Sequence, residues 1–303
     1  MATGIVSVAL SLAGFVVLSD TWLAVEITVW LALGFLIVAR FLLDRPGWRS
    51  DAHTPAALTA VAASTMLGSG MSDHGWRDLA WTLLVLALLA WLVLTPLVLA
   101  HWRRPTIGNS FLVVVAVQGL VLLAGTLALI NDDVWLADAV TVSFLVGLLA
   151  YLWVLATFDW TQIARGHGDH WVLTGSLAIS ALAGARVVSV TDPTGTVAAL
   201  TNLHVAMRDV DLIVFGLCLA GYGVLVAAEL RWPRWHYDVS RWATVFPLGM
   251  TAAAAMSVST AASVGWLDSL GEVLVWPAIA VWIIVAVGAA RSGRGRIGVP
   301  HRP

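Results

Sequence analysis

Apolar residues in this chain run in long unbroken stretches, and ten can be marked: 2–19, 22–43, 54–70, 79–100, 107–130, 134–158, 171–190, 210–229, 243–263 and 273–290. Each is roughly 17 to 25 residues long, enough to carry a helix across a hydrocarbon layer of about 30 Å. The stretches differ in bulk. Gly, Ala, Ser and Thr make up just over half of the odd-numbered ones and under a third of the even-numbered ones, which are rich in Leu, Val and Trp. Stretch 243–263 is the extreme case: two thirds of it is small residues, with Leu248 its one leucine. A helix so poor in bulk belongs inside a bundle, where small side chains let backbones approach and hydroxyls find partners.

Small inner helices alternating with bulky outer ones predict an all-α integral membrane fold: ten transmembrane helices as five helical hairpins around a central pore. The odd stretches begin near 2, 54, 107, 171 and 243, a loose period that fits a repeated two-helix unit. The plainer alternative is that small residues serve tight packing with no passage; five alternations in a row favour the passage. Stretches 54–70 and 243–263 are the weakest on hydropathy and are accepted because the topology then works. Pro247 removes a backbone donor and crowds the preceding turn, which predicts a kink that holds Phe246 among small neighbours.

The Arg distribution tests that topology. With both termini cytoplasmic, Arg40, Arg45, Arg49, Arg103, Arg104, Arg165, Arg231, Arg234, Arg241, Arg291, Arg294, Arg296 and Arg302 fall inside, and only Arg77, Arg186 and Arg208 fall outside. That asymmetry follows the positive-inside rule for a multi-pass protein of the plasma membrane. Trp22, Trp76, Trp102, Trp135, Trp160, Trp171, Trp232 and Trp266 sit near stretch ends, as interfacial belts require. The expected domain is residues 1–290, followed by an Arg-rich cytoplasmic tail, 291–303, free of regular structure and drawn to anionic lipid.

Composition narrows the function. At 303 residues, 60% apolar and 11% charged, with a mean hydropathy of +0.89, this is no ordinary soluble domain. A net charge of −2 offers nothing to nucleic acid. The lone cysteine, Cys218, excludes a disulfide within the chain and reads as a buried inert thiol.

Two motifs carry a family resemblance: Met1-Ala-Thr-Gly-Ile-Val-Ser-Val-Ala9, and Arg241-Trp-Ala-Thr-Val-Phe-Pro-Leu-Gly-Met250. Together with helix number and order they resemble the tellurite-resistance/dicarboxylate transporter family of TehA-like proteins, malate and sulfite transporters and slow-type anion channels. The resemblance implies five hairpins around a pore, a homotrimer with one pore per subunit, and anion conduction gated by the phenylalanine that matches Phe246, beside Pro247. Two departures stand out. The chain begins on the first motif, so either the first helix is about a turn short or the true start lies upstream. Val245 stands where many relatives have Ser or Thr, which removes a hydroxyl beside the gate.

An anion in such a pore is held by dipoles, hydroxyls and water. Candidate pore-lining donors are Ser7, Ser11, Thr59, Ser64, Thr65, Gln118, Thr174, Ser176, Ser180, Thr251, Ser257 and Ser259. Each has an alternative role, bonding a carbonyl of the preceding turn. Arg186, about one turn from the outer end of its helix, reads either as an outer-vestibule attractor for anions or as a partner of Asp209 or Asp211. Glu26 and Asp138 sit near the outer ends of lipid-side helices, where structural pairing is expected.

The leading function is a transmembrane anion channel or transporter for small inorganic or organic anions. The alternative is a proton-coupled secondary carrier for tellurite, sulfite or C4-dicarboxylates. Carriers usually place a titratable group at mid-membrane, and the odd stretches carry no acid or histidine there. Gly68-Ser69-Gly70 invites a hydrolase reading, but no membrane stretch supplies a His as its base and no metal-ligand spacing is present, so neither an enzyme nor a cofactor or metal site is expected. The expected partners are small anions, membrane lipid and further copies of the chain.

Overall fold

The computed structural model describes residues 1–165, 168–233 and 237–297. Five inner helices alternate along the chain with five outer ones. The inner set is α1 (Ala2–Leu12), α4 (Thr59–Asp73), α6 (Leu112–Asn131), α9 (Val172–Thr191) and α11 (Trp242–Ala262). The outer set is α2 (Val16–Leu43), α5 (Arg77–Ala100), α7 (Val134–Leu155), α10 (His204–Arg231) and α12 (Trp266–Ile297). Two short helices, α3 (Arg45–Ala52) and α8 (Gln162–Arg165), lie on the Arg-rich side.

Burial separates the two sets. The spans Gly108–Asn131, Asp169–Thr191 and Val239–Ala262 are 89% buried, whereas Val16–Leu43 is 11% buried and Val134–Leu155 only 33%. Small residues therefore mark inner position, as the sequence pattern predicts. Among the described residues eight helices are long and apolar enough to cross a membrane. Inner helices α1, with 11 residues, and α4, with 15, are shorter.

The first predicted stretch, 2–19, is divided. Helix α1 stops at Leu12 and α2 already starts at Val16. The break is a tight turn in which Gly14 takes φ 79°, a value without penalty only for glycine. Backbone bonds Gly14 N–H to Ser11 O, 3.0 Å, and Phe15 N–H to Leu10 O, 2.9 Å, close the helix end. Ser11 is the single polar residue beside this turn, too little to interrupt the apolar stretch. Helix α11 is continuous through Pro247, and α12 remains helical to Ile297, into the Arg-rich tail. Arg234 and Arg302 lie outside the described residues.

The inner helices pack in a closed cycle, α1 on α4, α4 on α6, α6 on α9, α9 on α11, and α11 back on α1. Each outer helix covers one seam: α2 touches α1 and α4, α5 touches α4 and α6, α7 touches α6 and α9, α10 touches α9 and α11, and α12 touches α11 and α1. Glycines let the inner backbones meet. A Cβ on Gly249 of α11 would lie 3.1 Å from Ile5 of α1, one on Gly125 of α6 would lie 3.0 Å from Arg186 of α9, and one on Gly68 of α4 would lie 2.5 Å from Leu123 of α6. Polar side chains fasten inner to outer helices: Ser7 and Ser19 exchange hydroxyl-to-carbonyl bonds of 2.8 and 2.9 Å, and Trp30 Nε1 donates to Ser64 Oγ at 3.0 Å. Trp282 of α12 donates to Thr3 of α1 at 3.2 Å and fastens the last helix to the first.

Four inner helices share an opening. A 3₁₀ turn precedes each: Pro55–Leu58 before α4, Gly108–Phe111 before α6, Asp169–Trp171 before α9 and Val239–Arg241 before α11. All four lie on the Arg-rich side, the structural counterpart of the loose sequence period.

Candidate conduit inside the inner ring

Phe246 is fully buried, and its ring lies against α9 where Gly175 leaves room: a Cβ there would be 3.2 Å from Phe246 Cδ1 and Cε1 and 2.8 Å from Pro247 Cγ. The ring therefore faces a neighbouring inner helix, not the acyl chains. Pro247 leaves its own carbonyl to the Thr251 hydroxyl, 2.8 Å away. On the 3.6-residue period Phe246, Met250, Ala253 and Ser257 fall on one face of α11.

The candidate hydroxyls divide into three groups. Several take the local bond to the preceding turn: Thr59 to Ala56 O, Thr65 to Ala62 O, Ser176 to Leu173 O and Ser180 to Ser176 O, at 2.6–3.0 Å. Others turn toward outer helices. Ser7 reaches Ser19, Ser64 receives Trp30, and Gln118 donates to Phe144 O of α7 at 3.2 Å. Thr174 and Thr251 bracket Cys218 of α10, whose Sγ is 3.8 Å from Thr174 O and 3.7 Å from Thr251 Oγ1. Ser259 caps the end of α11 by donating to Val264 O at 3.1 Å. Ser11 sits at the turn after α1 and is half-buried. Ser257 is the remaining one: its hydroxyl is buried without a hydrogen-bond partner, on the Phe246 face three turns toward the outer end.

Arg186 reaches the outer end of the ring. Its stem packs over Gly125 of α6, its Nε has no hydrogen-bond partner, and the acid that acts on it electrostatically is Asp73 at the end of α4. Asp209 and Asp211, the alternatives read from sequence, are not its partners. Just beyond α4, the ring nitrogens of His74 lie 2.8 Å from Gly70 O and 2.7 Å from Asp20 Oδ1. These two bonds favour the imidazolium and raise the His74 pKa above its ordinary 6.5.

Two acids were not foreseen at the inner ring. Glu26 of α2 is 3% exposed and Asp211 of α10 is fully buried. Each carboxylate fills the space left by a glycine of an inner helix, Glu26 at Gly4 of α1 and Asp211 at Gly184 of α9. None of the four oxygens has a hydrogen-bond partner, though the amino group of Met1 lies 3.7 Å from Glu26. Asp138 of α7 is only half-buried. A signal was present in the sequence: a carboxylate on a lipid-side helix cannot face lipid, so it must point inward. Among the described residues no group of three or more His, Cys, Asp or Glu could hold a metal ion.

Residues 1–290 match the family model described as voltage-dependent anion channel, SLAC1. A 135-residue stretch is 36% identical to an uncharacterized membrane protein of Mycobacterium tuberculosis strain CDC 1551 / Oshkosh, covering 43% of this chain and 66% of the relative. The counterpart in strain ATCC 25618 / H37Rv gives the same figures. The chain thus spans 66% of the length of the curated relatives it matches. No solved structure gives a significant match.

Proposed function

We propose that this chain, which belongs to the voltage-dependent anion channel (SLAC1) family, passes small anions through the centre of the ring formed by α1, α4, α6, α9 and α11. In this reading ten helices cross the plasma membrane with both termini in the cytoplasm, and three copies assemble with one conduit each. Phe246 closes the conduit. An apolar ring across a narrow passage strips an ion of water and offers nothing in return, so conduction requires the ring to leave its seat on Gly175. The observation that carries the proposal is the closed cycle of small-residue helices, with Phe246 fully buried and seated against Gly175 of the neighbouring inner helix α9. Ser257 supplies a hydroxyl on the same face, and Arg186 raises anion concentration at the outer mouth.

A second reading, coupled transport of protons with tellurite, sulfite or a C4-dicarboxylate, is favoured by Glu26 and Asp211. These acids supply from outer helices the buried carboxyl groups that the inner helices lack. One experiment separates the two. Reversal potentials of purified protein in planar bilayers are measured under chloride, nitrate, sulfite and malate gradients, with and without a pH gradient. A channel follows the anion gradient alone; a carrier shifts with pH, and Asp211→Asn or Glu26→Gln abolishes that shift. Absence of any anion current or flux under all gradients sinks both.

A further inference from the structure

On the Arg-rich side the outer wall has an opening between α5 and α7. A groove of about 400 Å³ is lined by Leu99 and Trp102 at the end of α5, Ala150 and Trp153 near the end of α7, and Val113 of the inner helix α6 at its floor. That volume falls in the range of small-ligand sites, about 300–1,000 Å³. Its lining is hydrocarbon and aromatic.

The groove is held open by the chain itself. Trp102 and Trp153 stack with ring centroids 4.6 Å apart. Behind them the two helix ends are tied by backbone bonds from Thr106 N–H to Thr157 O, 2.9 Å, and from Asp159 N–H to Thr106 O, 3.0 Å. The Thr106 hydroxyl adds a 2.9 Å bond to Val154 O. Arg103 and Arg104 directly follow the lining residue Trp102 and are exposed. The acid on the facing strand, Asp159, is taken up locally by Thr161, whose N–H and hydroxyl lie 3.0 and 2.7 Å from Oδ1. Two exposed guanidinium groups thus follow directly on the apolar slot at the end of α5.

We propose that this groove is a binding site for an anionic phospholipid of the leaflet on the Arg-rich side, one acyl chain lying between Trp102 and Ala150 and the phosphate held by Arg103 and Arg104. Guanidinium groups pair with phosphate through parallel N–H bonds, and the Trp pair belongs at the interface. The floor at Val113 puts the acyl chain against α6, so the lipid is a fixed part of the wall around the ring. The site stands whether or not the ring conducts anions.

The full-length protein is extracted from equimolar phosphatidylglycerol and phosphatidylcholine vesicles, and retained lipid is read by native mass spectrometry. Wild type is expected to keep phosphatidylglycerol over phosphatidylcholine. Arg103→Gln with Arg104→Gln, both on the surface and harmless to folding, is expected to weaken that preference roughly 30-fold, about fivefold per basic side chain at an anionic surface. Ala150→Trp fills the slot and is expected to remove bound lipid of either kind, while Arg231→Gln with Arg291→Gln, on α10 and α12 and outside the groove lining, changes nothing. A wild type without bound phosphatidylglycerol, or an Arg103/Arg104 variant that keeps the wild-type preference, overturns the proposal. So does a folded Ala150→Trp protein that changes its oligomeric state but keeps its lipid, which would make the groove a contact between copies.

Discussion

Gly175→Ala tests the seat of the Phe246 ring with one methyl group. A Cβ at 175 falls 3.2 Å from two ring carbons and 2.8 Å from Pro247 Cγ, whereas carbon–carbon contacts are most favourable at about 3.5–4.0 Å. The ring must yield by a few tenths of an ångström, and overpacking of that kind costs ~1–3 kcal/mol. Charged to the seated state alone, that energy shifts the ratio of displaced to seated ring by roughly 5- to 150-fold. Anion currents in planar bilayers are compared for wild type, Gly175→Ala, Phe246→Ala and the double variant. Phe246→Ala is expected to raise conductance several-fold, Gly175→Ala to raise it by less, and the double variant to match Phe246→Ala because no ring is left to unseat. The Pro247 contact persists in every background, so only the share of the energy that falls on the ring reaches the currents, and the double variant is expected to melt below Phe246→Ala. Wild-type currents from folded Gly175→Ala protein, or additive gains in the double variant, refute the seat.

Gly184→Ala pushes a methyl into the Asp211 carboxylate and is expected to cost ~1–3 kcal/mol, seen as a lower melting temperature that Asp211→Ala largely restores; an unchanged melt would show that α10 does not hold Asp211 there. Ser7→Ala breaks the reciprocal bonds with Ser19 and is expected to cost about 1 kcal/mol, membrane hydrogen bonds averaging ~0.6, with Ser7→Ala/Ser19→Ala no worse than either single change; additive losses would mean that the two hydroxyls act separately. The Asp20–His74 bond is expected to be pH dependent. Asp20 and then Gly70 O raise the His74 pKa, with Asp73 adding to them and burial opposing. Its stabilising effect is therefore full below the unfolded value near 6.5 and is lost as pH rises through the higher folded value. The stability gap between wild type and Asp20→Asn should be widest at acid pH and close toward alkaline pH; a gap constant with pH excludes a charged His74.

Layer order could be read from the sequence because it depends on composition, and composition is a property of whole stretches. Two thirds small residues in 243–263 and the leucine-rich 79–100 fixed which helix lies inside without knowledge of any neighbour. Orientation within a layer was not legible. An inner helix is buried all round, so no polar face shows which side Ser7, Gln118 or Thr174 presents, and the structure turns the first two toward outer helices while the Thr174 hydroxyl bonds Trp171 O of the preceding turn. The turn at Gly14 was hidden because apolar residues continue on both sides of it. Glu26 and Asp211 were overlooked as interior groups because only inner stretches were searched for acids, and the glycines that admit them were read as packing residues.

The bond between Trp282 and Thr3 joins groups 279 positions apart, and α12 covers the seam between α11 and α1. During synthesis the first four inner helices can stand only as an open trough, their glycine-rich flanks toward lipid, until the last hairpin leaves the ribosome and acts as keystone. A chain ended just before that hairpin therefore leaves a slotted wall, not a narrower ring.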